Sequence, residues 1–547
     1  GPAAGRCLAE YGSHAVLNAS GDAIVPLRSG PADGDLERLA TDAETNAATV
    51  IASLRDGSLA VVVPPATPEH CYAARVSGGW VVSDDFRLFR RLGFDELDER
   101  AVYALFQFGA IPAPIALFRG VRRLPSGHVS RLAPRATSAA ATAFFSSAAQ
   151  RAGRTWDSGA PQRIRDALDA FLARLPERPL LFFSGGVDSG LLAARLAGIG
   201  RRDVRLVNYA FGTQDEGSLL AQGIAARLGL AFDRVPYDPG GIGVVLEAFG
   251  REYSFPFGDI STVPTSLLVR EAIARTGHSG TVLEGTGADG AYGIASHFAR
   301  WRQAYALPRT MRRWINATYR ALRLWRGNGV AARAARFVGK SLRMPLAHAV
   351  VAQNALDEYL YPALNGVHEE LQVEIERSIG ALAAGVEPEE QLSLLDLVWV
   401  CAGRMAPKSF DPLRVRGTRP VYPYLEPAMI RLGASLSWRE KWSSGEPKAL
   451  LKSLLAEEIP PEWVYRPKSG FTPPAAEILA SGSMQDYLHD VVLSRANPLL
   501  PWCRVDRVRK LADRAARRAG LGSGAYDFLW VLAFASGWLR QVPKCGG

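Results

Sequence analysis

The stretch best equipped for chemistry is Ser184-Gly185-Gly186-Val187-Asp188-Ser189, which places two hydroxyls, two glycines and a carboxylate within six residues. An apolar run, Leu180-Leu181-Phe182-Phe183, precedes it and an apolar helical start, Leu191-Leu192, follows, so the order implied is strand, tight turn, helix. Glycine lets the backbone turn sharply and approach a ligand closely. Ser184 and Ser189 add hydroxyl donors, and the new helix aims its free N–H groups and positive dipole end at the same spot. That combination suits a multiply charged anion, a nucleotide phosphate above all. Asp188 would repel bare phosphate, so its position makes sense if it holds a divalent cation that bridges phosphates. A plain glycine turn is the simpler reading; six residues in this strand-to-helix context outweigh it.

Alternating strands and helices must position this loop. A helix is expected from Gln162 to about Leu175, then the strand into the loop, a strand over Val204–Gly212, a helix over Gly217–Leu228 and a strand around Phe232–Pro236. A helix over Thr265–Arg275 and a strand at Thr281–Leu283 complete the series. This alternation predicts an α/β fold, a doubly wound parallel sheet that binds its ligand at the carboxyl ends of the strands. Residues 1–135 instead carry short β-type runs punctuated by Gly, Pro and Asp, as in a smaller sheet-rich domain, with a short helix at Ala101–Phe106. Residues 136–160 are small and polar and are expected to be a linker. Residues 161–540 form the main domain, helical in its C-terminal part.

A chain of 547 residues exceeds one core, and 48% apolar with 22% charged residues excludes a disordered class. No apolar run reaches the roughly 18 residues of a membrane span, and the first residues show no signal-peptide pattern. Five scattered cysteines without a Cys-x-x-Cys pair argue against a zinc site or disulfide framework, so a reducing cytoplasm is the expected location. The net charge of +10 suits nucleic acid, acidic peptide or nucleotide alike. Residues 300–353 are rich in arginine, lack acidic residues and interleave Trp301, Trp314 and Trp325. They read either as a surface for an extended partner or, preferably, as amphipathic helices with a solvated basic face and packed tryptophans.

The Ser-Gly-Gly-Val-Asp-Ser loop resembles the pyrophosphate loop of the ATP pyrophosphatases, and three further segments resemble the asparagine synthetases in the same order. These are Glu284-Gly285-Thr286-Gly287-Ala288-Asp289, Arg419-Pro420-Val421-Tyr422-Pro423-Tyr424-Leu425-Glu426, and the stretches around Lys448 and Lys468. The resemblance implies that Asp188 and Asp289 share a magnesium ion, and two converging carboxylates do repel unless a cation sits between them. It implies ATP as the nucleotide, with Phe183, Ser184, Gly185, Gly186, Asp188, Ser189, Phe211 and Gly285 as binding residues. Lys468 and Lys448 match lysines that meet phosphate and developing charge, and Thr286 occupies a catalytic position of the family. For the Arg419–Glu426 segment the resemblance implies a mainly architectural role.

The passage from Phe108 to His128 resembles the end of a glutaminase-type domain of the N-terminal-nucleophile class, an α+β sandwich. Such domains use an N-terminal cysteine. None stands there in this sequence, so the front domain is expected not to release ammonia from glutamine. The whole resembles the lasso-peptide macrolactam synthetases, which adenylate an Asp or Glu side chain of a precursor peptide and close it onto the peptide's N-terminal amine. The implied partners are that core peptide, with a leader peptidase and a leader-binding protein beside it; neither membrane nor nucleic acid is expected. The alternatives are a β-lactam or asparagine synthetase-type small-molecule ligase and, further off, an RNA-modifying ATP pyrophosphatase. Thr286 stands where β-lactam synthetases carry a tyrosine, and a threonine is a poor base.

Overall fold

The computed structural model describes residues 14–17, 28–29, 49–53, 58–77, 79–151, 159–212, 215–293, 302–303, 305–322, 338–339, 341–342, 359–360, 367–443, 445–466, 474–518, 521 and 523–544. Two sheets form the front of the chain. One runs β1(His14–Leu17)-β6(Gly79–Ser83)-β5(Tyr72–Val76)-β7(Val121–Arg123). The other runs β2(Arg28–Ser29)-β3(Val50–Ser53)-β4(Leu59–Val63)-β8(His128–Leu132)-β9(Ala140–Ala143). Alternate residues explain their packing: Leu59, Val61 and Val63 of β4 meet Ala73, Trp80 and Val82 of the other sheet in a separate small core. Tyr72, Ala74 and Val81, on the opposite face, join the main core. The front of the chain thus holds two packed sheets; a glutaminase-type sandwich remains what the sequence resemblance implies.

The expected linker is instead ordered at Ala140–Ala143 and Ser147–Arg151. Residues 140–143 extend the second sheet antiparallel to β8, and buried Phe145 anchors the end, with both Phe144 and Phe145 N–H groups directed at Gly127 O. Small residues here form an edge strand, its register given by the pairing of His128 with Ala143 and Arg131 with Ala140. The front part also does not stand apart. Arg90 donates to the carbonyls of Leu539 and Val542, Phe86 and Phe118 pack on Trp538, and Gly258 N donates to Gly109 O at 2.7 Å.

The main sheet has five parallel strands in the order β12(Ala231–Pro236)-β11(Arg205–Ala210)-β10(Leu180–Phe182)-β13(Thr281–Leu283)-β14(Arg419–Val421). Central β10 is buried throughout, as a strand covered on both faces must be. The crossover helices Val187–Gly198, Glu216–Leu228 and Thr262–Thr276 fall where the alternation places them. Local chemistry fixes their ends: the Asp215 side chain accepts from Ser218 N, and Gly229 and Gly277 close two helices in the left-handed conformation. The chain leaves β10 towards β11 on one side and later returns to β13 on the other. The switch point, where open α/β sheets bind ligands, is thus the crevice between β10 and β13.

Within 300–353 the described helix is Arg309–Ala321. Its Trp314 is 70% exposed, with Met311 and Leu322 also exposed, so the expectation of packed tryptophans does not hold for this one. Trp301 and Trp325 lie outside the described residues. No described helix is long and apolar enough to cross a membrane.

Candidate functional site

The loop after β10 is held open by its own side chains. Ser189 Oγ accepts from Ser184 N at 3.2 Å and lies 3.3 Å from Ser184 Oγ, which in turn accepts from Gly186 N at 3.3 Å. Gly185 has φ +70°, and a Cβ there would stand 3.0 Å from the Ala221 backbone. The helix then starts at Val187 with no side chain capping its N-terminus, leaving that end for a ligand. Phe183 sits beneath, fully buried, with its N–H on Val207 O and its carbonyl receiving Asn208 Nδ2, so it supports the loop from the core. Phe211, at the end of β11, is half-buried and packs edge-on against Tyr209 and tilted against Tyr237, an aromatic wall one strand from the loop.

The turn after β13 closes on this loop from the other side of the switch point. A Cβ on Gly285 would lie 3.0 Å from Asp188 Cβ, so only glycine allows that approach. Asp289, in the first turn of the short helix Ala288–Tyr292, reaches the same point as Asp188. Between them stands Lys448: its Nζ is 2.7 and 2.8 Å from the two Asp188 oxygens and 2.7 Å from Asp289 Oδ1. Burial works against the Lys448 charge, but the two carboxylates outweigh it and hold its pKa above the ordinary lysine value. The lysine backbone is left-handed, φ +58°, a conformation that costs a non-glycine residue energy and is concentrated at functional sites. The Arg419–Glu426 segment supplies β14 and the fully buried Tyr424, whose hydroxyl donates to Asp188 O at 3.0 Å. Its expected architectural role thus acquires a specific contact.

Two carboxylates and one ammonium leave a net charge of −1, and the Asp289 side chain is 44% exposed. This all-oxygen pair suits magnesium, which Asp188 and Asp289 would hold together with oxygens of phosphate and water. Among the described residues no cluster of three or more His, Cys, Asp or Glu offers a protein-only metal cage. The structure therefore brings together Asp188, Asp289, Lys448, Gly285 and the serine loop, while Lys468 lies outside the described residues. Thr286 takes a different direction, its hydroxyl donating to Glu284 Oε1 at 2.7 Å.

Two acidic groups were missed as individual site residues. Glu284 directly follows an apolar strand, a signal that was available. Asp396 opens a π-helical segment, Asp396–Met405, and nothing local in the sequence marks it. Burial first, and then the charge of Asp289, push the Asp396 carboxyl up to about 6.

Comparison with known proteins follows the same lines. Residues 163–540 match the family profile described as asparagine synthase. Proteins from Mycobacterium bovis and Mycobacterium tuberculosis, each named "Putative asparagine synthetase, glutamine-hydrolyzing", are 25% identical over 440 residues. That match covers 77% of this chain and 66% of theirs, just under two thirds of their length. Among solved structures, an NH3-dependent NAD synthetase from Campylobacter jejuni aligns at 16% identity over 25% of this chain and 60% of its own. Its TM-score of 0.18 is too low to bear on the fold.

Proposed function

The chain belongs to the asparagine synthase family, and from that premise we propose that it is an ATP-dependent amide synthetase acting on a peptide. The observation that carries this reading is the convergence of Asp188, Asp289 and Lys448 beside an uncapped helix N-terminus at the switch point of the sheet. The loop N–H groups with Ser184 and Ser189 bind the β- and γ-phosphates, and Phe211 provides an aromatic face for the base. Asp188 and Asp289 would hold magnesium, which when bound offsets the phosphate charge. Lys448 adds a fixed positive charge that stabilises the departing pyrophosphate, and Lys468 is proposed to do the same at the α-phosphate. A substrate carboxylate attacks the α-phosphorus, pyrophosphate leaves, and an amine then displaces AMP from the acyl group.

The source of the amine separates the finer readings. Our first reading is an amine carried by the substrate itself, as in closure of an Asp or Glu side chain onto a peptide N-terminus to give a lasso macrolactam, in line with the resemblance of the Phe108–Pro114 stretch. The names of the mycobacterial relatives favour a second reading, an asparagine synthetase-type ligase on a small molecule.

Enzyme, ATP, magnesium and a trimmed precursor peptide should give a product lighter by one water, together with AMP and pyrophosphate. Release of ADP and phosphate would overturn the adenylation chemistry. Turnover with aspartate and ammonia, but not with peptide, would select the second reading.

A further inference from the structure

The helix Pro388–Leu395, which packs against the short helix carrying Asp289, has an open cavity at its N-terminus. The cavity, about 380 Å³, lies between that end, the segment around Tyr305 and the turn Trp438–Lys441. We infer that it is a specificity pocket for the substrate peptide, taking an aromatic side chain together with a carboxylate on the neighbouring residue. The inference rests on the peptide-ligase reading above and goes beyond it by saying where the peptide is read and by what chemistry.

Two connections tie the cavity to the metal site. One runs along the helix: Ser393 Oγ, one turn beyond Glu389, lies 3.5 Å from Glu389 O and 3.4 Å from Gly293 O. Gly293 in turn presses on the site lysine, since a Cβ there would stand 3.0 Å from Lys448 Cγ. The other runs along the chain. Trp442–Ser443 pairs antiparallel with Glu446–Pro447, so the turn bearing Trp438 leads through one hairpin into Lys448. An extended peptide spans about 3.4 Å per residue, so a residue roughly four to six positions from the reacting carboxylate comes within reach of the cavity.

The walls decide what fits. Tyr305, Ala306, Pro388 and Trp438 supply apolar surface, and the volume accepts one large side chain. Both carboxylates of the lining are already committed. Glu389, which is buried, pairs with Arg302 at 3.2 Å, and Glu387 accepts from Trp438 Nε1 at 2.6 Å. Arg439 differs: it is exposed, its guanidinium lies 4.7 Å from the centre of the Trp438 ring, and it makes no ion pair among the described residues. A guanidinium stacked on an indole leaves its N–H edge for a carboxylate. The Tyr305 ring lies 5.0 Å from the Arg312 guanidinium, and the helix that carries Arg312, Arg309–Ala321, adds exposed Arg309 and Arg313 and no acidic residue. The local field therefore favours an anionic peptide segment and opposes a cationic one.

The test uses the full chain and a synthetic octapeptide in which benzoylphenylalanine, a photo-crosslinking aromatic residue, is followed by Asp. A second probe carries Lys in place of that Asp. After irradiation, mass spectrometry should place the cross-link within residues 302–306, 387–389 or 438–439. The wild type should label about fivefold more with the Asp probe, and Arg439→Glu, a change at an exposed position, should reverse that preference. Trimmed precursor peptide should suppress the labelling. The same charge reversal should raise the KM for precursor in ATP–pyrophosphate exchange about tenfold while the KM for ATP stays within about twofold.

Cross-links outside the cavity, equal labelling by the two probes, a preference unchanged in Arg439→Glu, or labelling that precursor does not suppress would each overturn the pocket. Labelling needs no turnover, so the two readings fail separately. Charge-selective labelling without exchange in the wild type would remove the ligase chemistry and leave a peptide site. Exchange with labelling elsewhere would remove the pocket alone.

Discussion

The ammonium of Lys448 lies 2.7 Å from Oδ1 of Asp188, a pair brought together across 260 residues. The same nitrogen reaches Asp289, so one lysine neutralises half of the charge at the point where the metal is expected. Lys448→Ala should leave two carboxylates facing each other and lower stability by about 2 kcal/mol without metal. Magnesium should then raise the melting temperature more in the variant than in the wild type, because the ion takes over the missing positive charge. Equal magnesium shifts in a thermal melt would mean that these carboxylates are not where the ion binds.

Asp188→Asn and Asp289→Asn each remove one oxygen charge while preserving shape. ATP–pyrophosphate exchange should drop by about 10³-fold or more in either variant, since neither carboxylate alone can direct the ion to the phosphates. A variant that keeps a tenth of wild-type exchange would show that its carboxylate serves Lys448 and not the metal.

Lys468→Ala tests a position argued from its sequence context. Turnover should fall by about two to four orders of magnitude with the KM for ATP nearly unchanged, as expected for a charge that acts mainly in the transition state. A raised KM at unchanged kcat would make it a ground-state phosphate contact.

The legible parts of this molecule are those in which local pattern and tertiary role coincide. Leu180–Phe182 is apolar because both faces of the strand are covered, and Gly185 is glycine because the turn is left-handed against Ala221. The order of the four motifs likewise points to Asp188, Asp289 and Lys448, whose charged groups lie within hydrogen-bond distance in the fold. What was not legible depends on distant partners. The strand Ala140–Ala143 looks like a linker until β8 and Phe145 are placed beside it. Ser409 acquires its meaning only from Glu284, 125 residues earlier. Trp314 breaks the general rule that tryptophans pack inward, and no short-range pattern could have shown it.

Asp396 predicts a pH dependence of stability. Its carboxyl sits at about 6 in the folded chain against an ordinary 3.8, because of burial and the neighbouring Asp289. Between about pH 4 and 6 the folded state holds this proton while the unfolded state has lost it. This group's contribution to stability therefore declines as pH rises through that window and is level above it. The full decline is at most about 3 kcal/mol. Asp396→Asn should flatten this slope in urea titrations, and be neutral or stabilising at pH 7. An unchanged slope would place the titrating group elsewhere.

The two glycines of the loop should respond differently to the same substitution. Gly185 combines φ +70° with an Ala221 backbone 3.0 Å from where a Cβ would sit, so Gly185→Ala meets both backbone strain and a clash. Its cost should be about 1–3 kcal/mol, and the KM for ATP should rise about tenfold as the loop shifts off its phosphate geometry. Gly186 lies at φ −78°, open to any residue, and a Cβ there would meet only Ser184 Oγ at 3.3 Å. Gly186→Ala should therefore leave stability within about 0.5 kcal/mol of wild type. It should weaken ATP binding only through the serine hydroxyl that it displaces from Gly186 N. Paired denaturant melts and ATP titrations read both effects. Equal stability losses at the two positions would mean that the left-handed turn at Gly185 does not set the shape of the anion loop.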